Sequence, residues 1–384
     1  FSVISSGMVA VMTQNIGAGR PGVAYQARQL GLAFNAVLGV IMSLFLSLGA
    51  GTILSGVGVA DALMQPAKTY LQIVGGFCIL NALIPICSSY LRAFGFSKEP
   101  LYASIIGNVI NFCLNAFFLF VLHKGVAGVA TATVISRIIN LVIVVLLGAV
   151  LVKAKQHPER ESNRAVMGQI IRIGLPSACE TAIYNVSMTL VIRFLNQMDA
   201  QGLNVTARSY TMQITNFSYC VGAALAQANA IMTGWHIGAK EYDACDRGTK
   251  KAAVIGVIVA VILETVFTLC SGWIMQLFSK DPQMVSLVGK LLAIDIVLEI
   301  GRVTNLVYGQ ALKTSGDAVF PVVMGACFMI LCSVGGTYLF GIRLGLLAVG
   351  AYIGMTGDEC VRAVGMYLRW KSGKWKEKGL VKSR

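Results

Sequence analysis

The sequence predicts an all-α membrane protein that crosses the bilayer many times. Apolar residues make up 56 % of its 384 residues, and only 12 % are Asp, Glu, Lys or Arg, about half the roughly 25 % of a soluble domain. Mean hydropathy is +0.73. A water-soluble core of this size could not bury so much apolar surface. The composition therefore excludes a soluble enzyme, a disordered chain and a coiled coil.

Eleven apolar segments are long enough to be transmembrane helices. Such a helix needs roughly 20 mainly apolar residues, and polar stretches or Gly and Pro separate it from the next. By this rule the predicted spans are 1–17, 30–54, 69–91, 101–122, 126–152, 173–195, 208–235, 252–278, 284–310, 319–341 and 344–368. The longest break, 153–172, has the composition of a linker, and its last part is amphipathic, typical of a segment along the membrane surface.

The two halves of the chain repeat one pattern. Ile16-Gly17-Ala18 recurs 221 positions later as Ile237-Gly238-Ala239, and the same offset relates Leu91-Arg92 to Leu312-Lys313. Ordered matches at one spacing indicate an internal duplication. The second half has six spans and the first shows five, so we expect one further helix before residue 1 and twelve helices in all. Repeats with an even number of spans run parallel, related by an axis along the membrane normal.

The predicted organisation has four parts: an N-terminal half (1–155), a linker (156–172), a C-terminal half (173–368) and a basic tail (369–384). With the C-terminus in the cytoplasm, the loops and tail on that side hold 21 of the 31 lysines and arginines, and the opposite loops hold six. This asymmetry follows the positive-inside rule. The net charge of +14 therefore reflects topology and requires no nucleic acid, and we expect the tail to rest on anionic lipid headgroups.

Acidic residues inside the spans are the strongest candidates for function. A carboxylate at membrane depth costs about 2.5–3.5 kcal/mol, so each must be paired, neutral, near a helix end or facing a cavity. All six lie in the second half: Glu180, Glu264, Asp295, Glu299, Asp358 and Glu359.

The span 284–310 carries a charged stripe. Asp295, Glu299 and Arg302 are spaced i, i+4 and i+7 and share one helical face, which Asn305 continues. Glu299 and Arg302 could form a structural ion pair, or the stripe could line an ion-coupling cavity. One arginine cannot neutralise two carboxylates, which favours the cavity.

Glu180 follows Gly174-Leu175-Pro176 by one helical turn, and no basic residue lies near it along the helix. A carboxylate in the first turns gains from the helix dipole, which would explain it without a function. The polar residues Tyr184 and Asn185 follow it, however, and suit a hydrated cavity, so a functional role is favoured.

Three further groups leave alternatives open. Glu264 sits mid-span without a local partner, and structural and functional roles are equally supported. Asp358 and Glu359 precede Arg362 by four and three residues, which favours a local ion pair. Side-chain amides at i, i+3 and i+7 either join helices or line a polar pocket, and packing is favoured for Asn108, Asn111 and Asn115.

The sequence contains no nucleotide-binding loop, metal-ligand cluster or nucleophile arrangement, so we expect neither an enzyme nor a cofactor. Transport energy would then have to come from an ion gradient.

Several short motifs, taken in order, resemble those of the MATE (multidrug and toxic compound extrusion) transporters. The resemblance extends over the whole chain except the expected first helix. The motifs are Thr13-Gln14-Asn15-Ile16-Gly17-Ala18-Gly19, Leu91-Arg92-Ala93-Phe94-Gly95, Asn111 with Leu114-Asn115, Ile173-Gly174-Leu175-Pro176-Ser177, Ser315-Gly316-Asp317 and Arg369-Trp370-Lys371-Ser372-Gly373-Lys374-Trp375.

The resemblance implies two six-helix lobes around a central cleft and export of drugs or other small cationic compounds by alternating access. Na⁺ or H⁺ would drive the exchange across the plasma membrane, and we expect a monomer with its C-terminus in the cytoplasm. Glu180 matches the family's acidic residue in the seventh helix and is where a Na⁺ would bind. Asp295 and Glu299 do not align cleanly with the acid of the tenth helix, to which Arg302 is closer.

The cation-coupling candidates are therefore Glu180, Asp295, Glu299 and Glu264. The substrate-cavity candidates are Tyr184, Asn185, Arg302, Asn305, Asn108, Asn111 and Asn115. A flippase for a lipid-linked oligosaccharide, from the same superfamily, is the alternative and would need a cavity rich in basic groups. A membrane-embedded enzyme would need converging catalytic groups, which the sequence lacks.

Overall fold

A computed structural model describes residues 2–57, 59–152, 159–198 and 202–381. Within these ranges the chain is helical and has no strands. The helices are α1 (Ser2–Gly17), α2 (Pro21–Leu48), α3 (Ala50–Val57), α4 (Asp61–Tyr70), α5 (Ile79–Ala93), α6 (Lys98–Ala116), α7 (Gly125–Leu151), α8 (Asn163–Met198), α9 (Leu203–Gly238), α10 (Tyr242–Leu269), α11 (Ser271–Met275), α12 (Pro282–Ser315), α13 (Val319–Phe328) and α14 (Leu347–Lys371). Wider π-helical turns extend several of them, at Leu71–Gly75, Phe117–Val121, Met329–Val334 and Thr337–Arg343.

Each of the eleven predicted spans coincides with a helix or a run of successive helical segments, which confirms the predicted membrane-helix fold. In the described part of the chain, five helices are long and apolar enough to cross a bilayer. A sixth is added if the pair Asp61–Gly75 and Ile79–Ala93, bent by 41°, is one span. Helices such as α12 fall outside this set because they carry several charged side chains, of which Asp295 and Glu299 are buried.

The chain divides into two compact units, Phe1–Gly174 and Leu175–Arg384. The predicted boundary between 155 and 156 lies outside the described residues. The described end of the linker contacts the first unit, where Glu161 pairs with Arg20 at 2.5 Å and its carbonyl accepts a hydrogen bond from Gln26. The amphipathic stretch 165–173 forms the start of α8 and continues without a break into the predicted span.

In the second unit α12 is the central helix and packs against α9, α10 and α14. Its ends are well defined: Asp281 accepts a hydrogen bond from the amide of Gln283, and Gly316 ends the helix at a φ of 100°. Small residues allow the neighbours to approach. A Cβ at Gly222 of α9 or Gly256 of α10 would lie within 2.8 Å of the Val303 side chain.

Gly301 allows α12 and α14 to approach closely. A Cβ at this position would lie 2.8 Å from the backbone nitrogen of Cys360 and 2.9 Å from the carbonyl carbon of Glu359. The missing side chain therefore brings the polar face of α12 directly against that of α14.

Candidate functional site

The second unit contains a cavity of about 370 Å³, lined by residues of α8, α9, α12, α13, α14 and the π-helical turn after α13. Five residues predicted from the sequence line it: Glu180, Tyr184 and Asn185 of α8, and Arg302 and Asn305 of α12. The helical spacing of each set places its members on one face. The structure thus brings together two polar stripes that are far apart in the sequence.

Glu180 forms an ion pair across this cavity. Its Oε2 lies 2.5 Å from the Nζ of Lys313, and the two side chains are 17 % and 13 % exposed. Lys313 lies in the last turn of α12, which extends beyond the predicted span 284–310. Sequence spacing could not identify this partner, because the two residues meet only when α8 and α12 lie side by side.

Arg302 is shared by two carboxylates. It pairs with Glu299, one turn earlier on α12, and its Nε lies 3.8 Å from Oε1 of Glu359 on α14. Asn305 donates a hydrogen bond of 3.0 Å to the other oxygen of Glu359. The pairing of Glu299 with Arg302 is therefore one part of a network that joins two helices.

Arg362 extends the same network along α14. Its Nε and Nη2 donate to the two oxygens of Asp358 at 2.8 and 3.0 Å, and Nη2 also lies 2.9 Å from Oε1 of Glu359. Ser333 donates a further hydrogen bond of 2.9 Å to Asp358. Such a bidentate arginine contact fixes both partners in one geometry. The favoured local pair is present, and Glu359 connects it to Arg302.

A smaller cavity of about 210 Å³ shares Tyr184, Tyr219 and Arg302 with the first. Asp295 and Arg208 also line it. Asp295 is buried, and within the described ranges it has no ion pair at 4 Å or less. Arg208, the first residue of the predicted span 208–235, is a buried residue of α9.

Glu264 and Glu299 do not line either cavity. Both side chains are fully buried. Glu299 pairs with Arg302, whereas Glu264 of α10 has no ion pair in the described part of the chain. Among those residues, no three His, Cys, Asp or Glu side chains come together as a metal site.

The asparagines of α6 belong to the first unit, whereas the residues that line these two cavities belong to the second. Asn111 donates to Ser136 of α7 at 3.3 Å, and Asn115 donates to Asn111 at 3.1 Å, whereas Asn108 is exposed. The contact between Asn111 and Ser136 joins two helices, in keeping with the packing role favoured from the sequence.

Several residues that line the two cavities were not predicted as cavity residues, among them Lys313, Arg208, Tyr219 and Arg362. Lys313 carries a sequence signal, because it occupies the position that corresponds to Arg92 in the internal repeat, and Arg362 is the predicted ion-pair partner of Asp358 and Glu359. The packing of α9 and α14 against α12 brings Arg208, Tyr219 and Arg362 to the cavities.

Comparisons with known proteins agree with this fold. The MatE family model matches residues 1–117 and 176–339. A protein of Bacillus subtilis described as an uncharacterized transporter, YisQ, is 32 % identical over 99 % of this chain and 85 % of its own length. The probable multidrug resistance protein NorM of Thermotoga maritima is 22 % identical over 88 % of this chain and 76 % of its own.

Solved structures show the same architecture. A crystal structure of MATE in the bent conformation superposes with a TM-score of 0.88 at 18 % identity, covering 98 % of this chain and 84 % of that one. An outward-facing MATE transporter of the MOP superfamily gives a TM-score of 0.87 at 17 % identity, covering 99 % and 85 %. The family match over most of the sequence and the relative at 32 % identity confirm the resemblance, and the chain belongs to the MATE family of integral membrane transporters.

Proposed function

We propose that this protein is a cation-coupled antiporter that exports drugs or other small organic cations by alternating access, driven by a Na⁺ or H⁺ gradient. Its family and its relatives named for multidrug resistance support a drug-efflux transporter. We further propose that it acts as a monomer in the plasma membrane, with its C-terminus in the cytoplasm. The basic loops and tail support this orientation.

One observation carries the proposal: a cavity of about 370 Å³ has Glu180, Tyr184 and Asn185 on one wall. Cavities that hold small organic ligands measure roughly 300–1,000 Å³. Tyrosine rings such as Tyr184 and Tyr219 attract organic cations through their faces, and a carboxylate supplies the opposite charge. The wall formed by α8 thus combines charge, aromatic surface and an amide in one place.

Buried acids supply the coupling in this proposal. A coupling ion bound at Glu180 competes with the substrate's positive charge for the same carboxylate. Binding of the coupling ion therefore favours release of the substrate, and binding of the substrate favours release of the ion. Asp295, at the smaller cavity, and Glu264 each lack an ion pair among the described residues and are further coupling sites. Glu299 takes part through Arg302, which both cavities share.

The experiment uses the purified protein in proteoliposomes, with the fluorescent cation ethidium as substrate and Na⁺ and pH gradients imposed separately. We expect one gradient to drive ethidium transport, and we expect Glu180→Gln to remain folded but to abolish this transport. Glu377→Gln, an exposed site outside the cavity, is the matched control. Transport by Glu180→Gln at the wild-type rate would contradict the assignment of Glu180.

The roles of Glu264 and Asp295 are tested in the same proteoliposome assay. Glu264→Gln and Asp295→Asn remove a charge with little change in shape, so we expect folded proteins whose transport depends more weakly on the gradient. If both variants respond to the gradient as the wild type does, neither acid is a coupling site.

The flippase alternative has one supporting observation, since three basic side chains line the larger cavity: Arg302, Lys313 and Arg362. Each is paired with a carboxylate, which leaves none free for a phosphate. Movement of a fluorescent lipid-linked oligosaccharide across the bilayer, without ethidium transport, would favour the flippase.

A further inference from the structure

The pair formed by Glu180 and Lys313 differs from the other buried ion pairs around the cavity in the number of carboxylate contacts that its cation makes. Arg302 is shared by Glu299 and Glu359, and Arg362 makes three contacts with Asp358 and Glu359. Lys313 has one ion-pair partner within the described ranges, Glu180.

We infer that Lys313 is a tethered cation that occupies the Glu180 carboxylate and must be displaced before a coupling ion or an organic cation can bind there. The inference rests on the proposed role of Glu180 as the binding carboxylate. It assigns to Lys313 the role of setting the affinity of that site, rather than only stabilising the fold.

Charge repulsion explains why Lys313 must be displaced before another cation can bind at Glu180. The Lys313 ammonium lies 2.5 Å from the carboxylate oxygen, so a second cation on that carboxylate would stand within a few ångströms of it. Two like charges at such a distance repel strongly in the low dielectric of a protein interior. A second cation therefore binds only as the ammonium moves away.

The position of Lys313 allows this movement. Both side chains line the cavity of about 370 Å³, so there is space for the ammonium to leave the carboxylate. Lysine carries its charge on a flexible four-carbon stem, unlike the planar, multiply bonded arginines nearby. Lys313 also lies in the last turn of α12, where the helix dipole favours a positive charge after release.

Binding of ethidium to the purified full chain in detergent, followed by fluorescence anisotropy, tests the inference. Lys313→Met removes the competing charge, so we expect the Kd for ethidium to fall at least tenfold. Lys313→Arg keeps the charge and should bind no more tightly than the wild type. Lys290→Met is the matched control: it makes the same substitution on the same helix, at an exposed lysine with no ion pair among the described residues.

A double-mutant cycle separates competition from a structural effect. In the Glu180→Gln background there is no carboxylate to compete for, so adding Lys313→Met should change the Kd less than twofold. If Lys313→Met proves too unstable to measure, Lys313→Gln, which keeps a polar end without the charge, makes the same prediction.

Two results would overturn the inference: an unchanged or weaker affinity in folded Lys313→Met or Lys313→Gln, or tight binding by Lys313→Arg. A wild type that neither binds nor transports ethidium would instead contradict the proposed function. The two failures are thus distinguishable.

Discussion

The indole of Trp375 stacks on that of Trp370, with ring centroids 4.1 Å apart and planes 9° from parallel. Both side chains are 1 % exposed. Trp370 lies in the last turn of α14, and its carbonyl accepts a hydrogen bond of 2.9 Å from the indole nitrogen of Trp375. The first part of the basic tail therefore packs against its own unit, while the side chains of Lys374 and Lys376 stay exposed.

Replacing Trp375 tests how firmly this segment is held. Truncation of a buried tryptophan to alanine typically costs about 3–5 kcal/mol, so we expect Trp375→Ala to lower the melting temperature of the purified protein clearly. Lys374→Ala, one residue earlier and exposed, should leave it unchanged. Equal melting temperatures for both variants would show that the stacked indoles contribute little.

Asp246 connects the same end of α14 to α10. It accepts hydrogen bonds from the indole nitrogen of Trp370 at 2.9 Å and from Lys250 at 2.7 Å. Asp246→Ala leaves the buried indole N–H without this acceptor, a loss of about 1–3 kcal/mol that thermal unfolding would detect. Asp246→Asn keeps an acceptor oxygen and should retain most of the stability that Asp246→Ala loses. The control Asp243→Ala, at an exposed site, should leave the melting temperature unchanged.

Arg362 is expected to be the most sensitive member of the buried network. Arg362→Met leaves Asp358 without its bidentate partner, and Glu359 keeps only Arg302 as an ion-pair partner among the described residues, beside its hydrogen bond from Asn305. Breaking a buried pair from one side costs about 3–5 kcal/mol. We expect a large fall in melting temperature, partly restored by adding Asp358→Leu, because the second change removes the uncompensated charge.

The exposed Arg343 supplies the comparison for this experiment. Its guanidinium meets the hydroxyl of Tyr338 and makes no ion pair among the described residues. Arg343→Met should therefore melt close to the wild type. If Arg362→Met melts at the same temperature as Arg343→Met, the buried ion-pair network around Arg362 contributes no net stability.

Gly301 permits the contact that brings the two polar faces together. Gly301→Ala places a methyl group within 3 Å of the α14 backbone, so the helices must separate, at a cost of about 1–3 kcal/mol. Gly357→Ala on α14 meets no described atom within 4 Å and should be neutral or slightly stabilising. Thermal unfolding compares the two, and equal melting points would show that the interface adapts freely.

Hydropathy along the chain was sufficient to predict the membrane class and the eleven helical segments, and the family was predicted from the resemblance of short motifs. These features are local: a run of about 20 apolar residues is a membrane helix wherever it stands, because its backbone must satisfy its hydrogen bonds internally. The same local reasoning favoured the contact of Asp358 with Arg362 and gave that of Glu299 with Arg302 as one of two alternatives, since i, i+3 and i+4 positions always adjoin.

Contacts between helices were decided by the tertiary structure alone. The partner of Glu180 is Lys313, far away in the sequence, and Glu359 joins Arg302 to Arg362 only because Gly301 lets α12 and α14 approach. Periodicity shows which face of a helix is polar but not which other helix that face meets. Lys313, which follows a predicted span, and Glu180, which has no basic residue near it along its own helix, form an ion pair because packing places them at the same cavity.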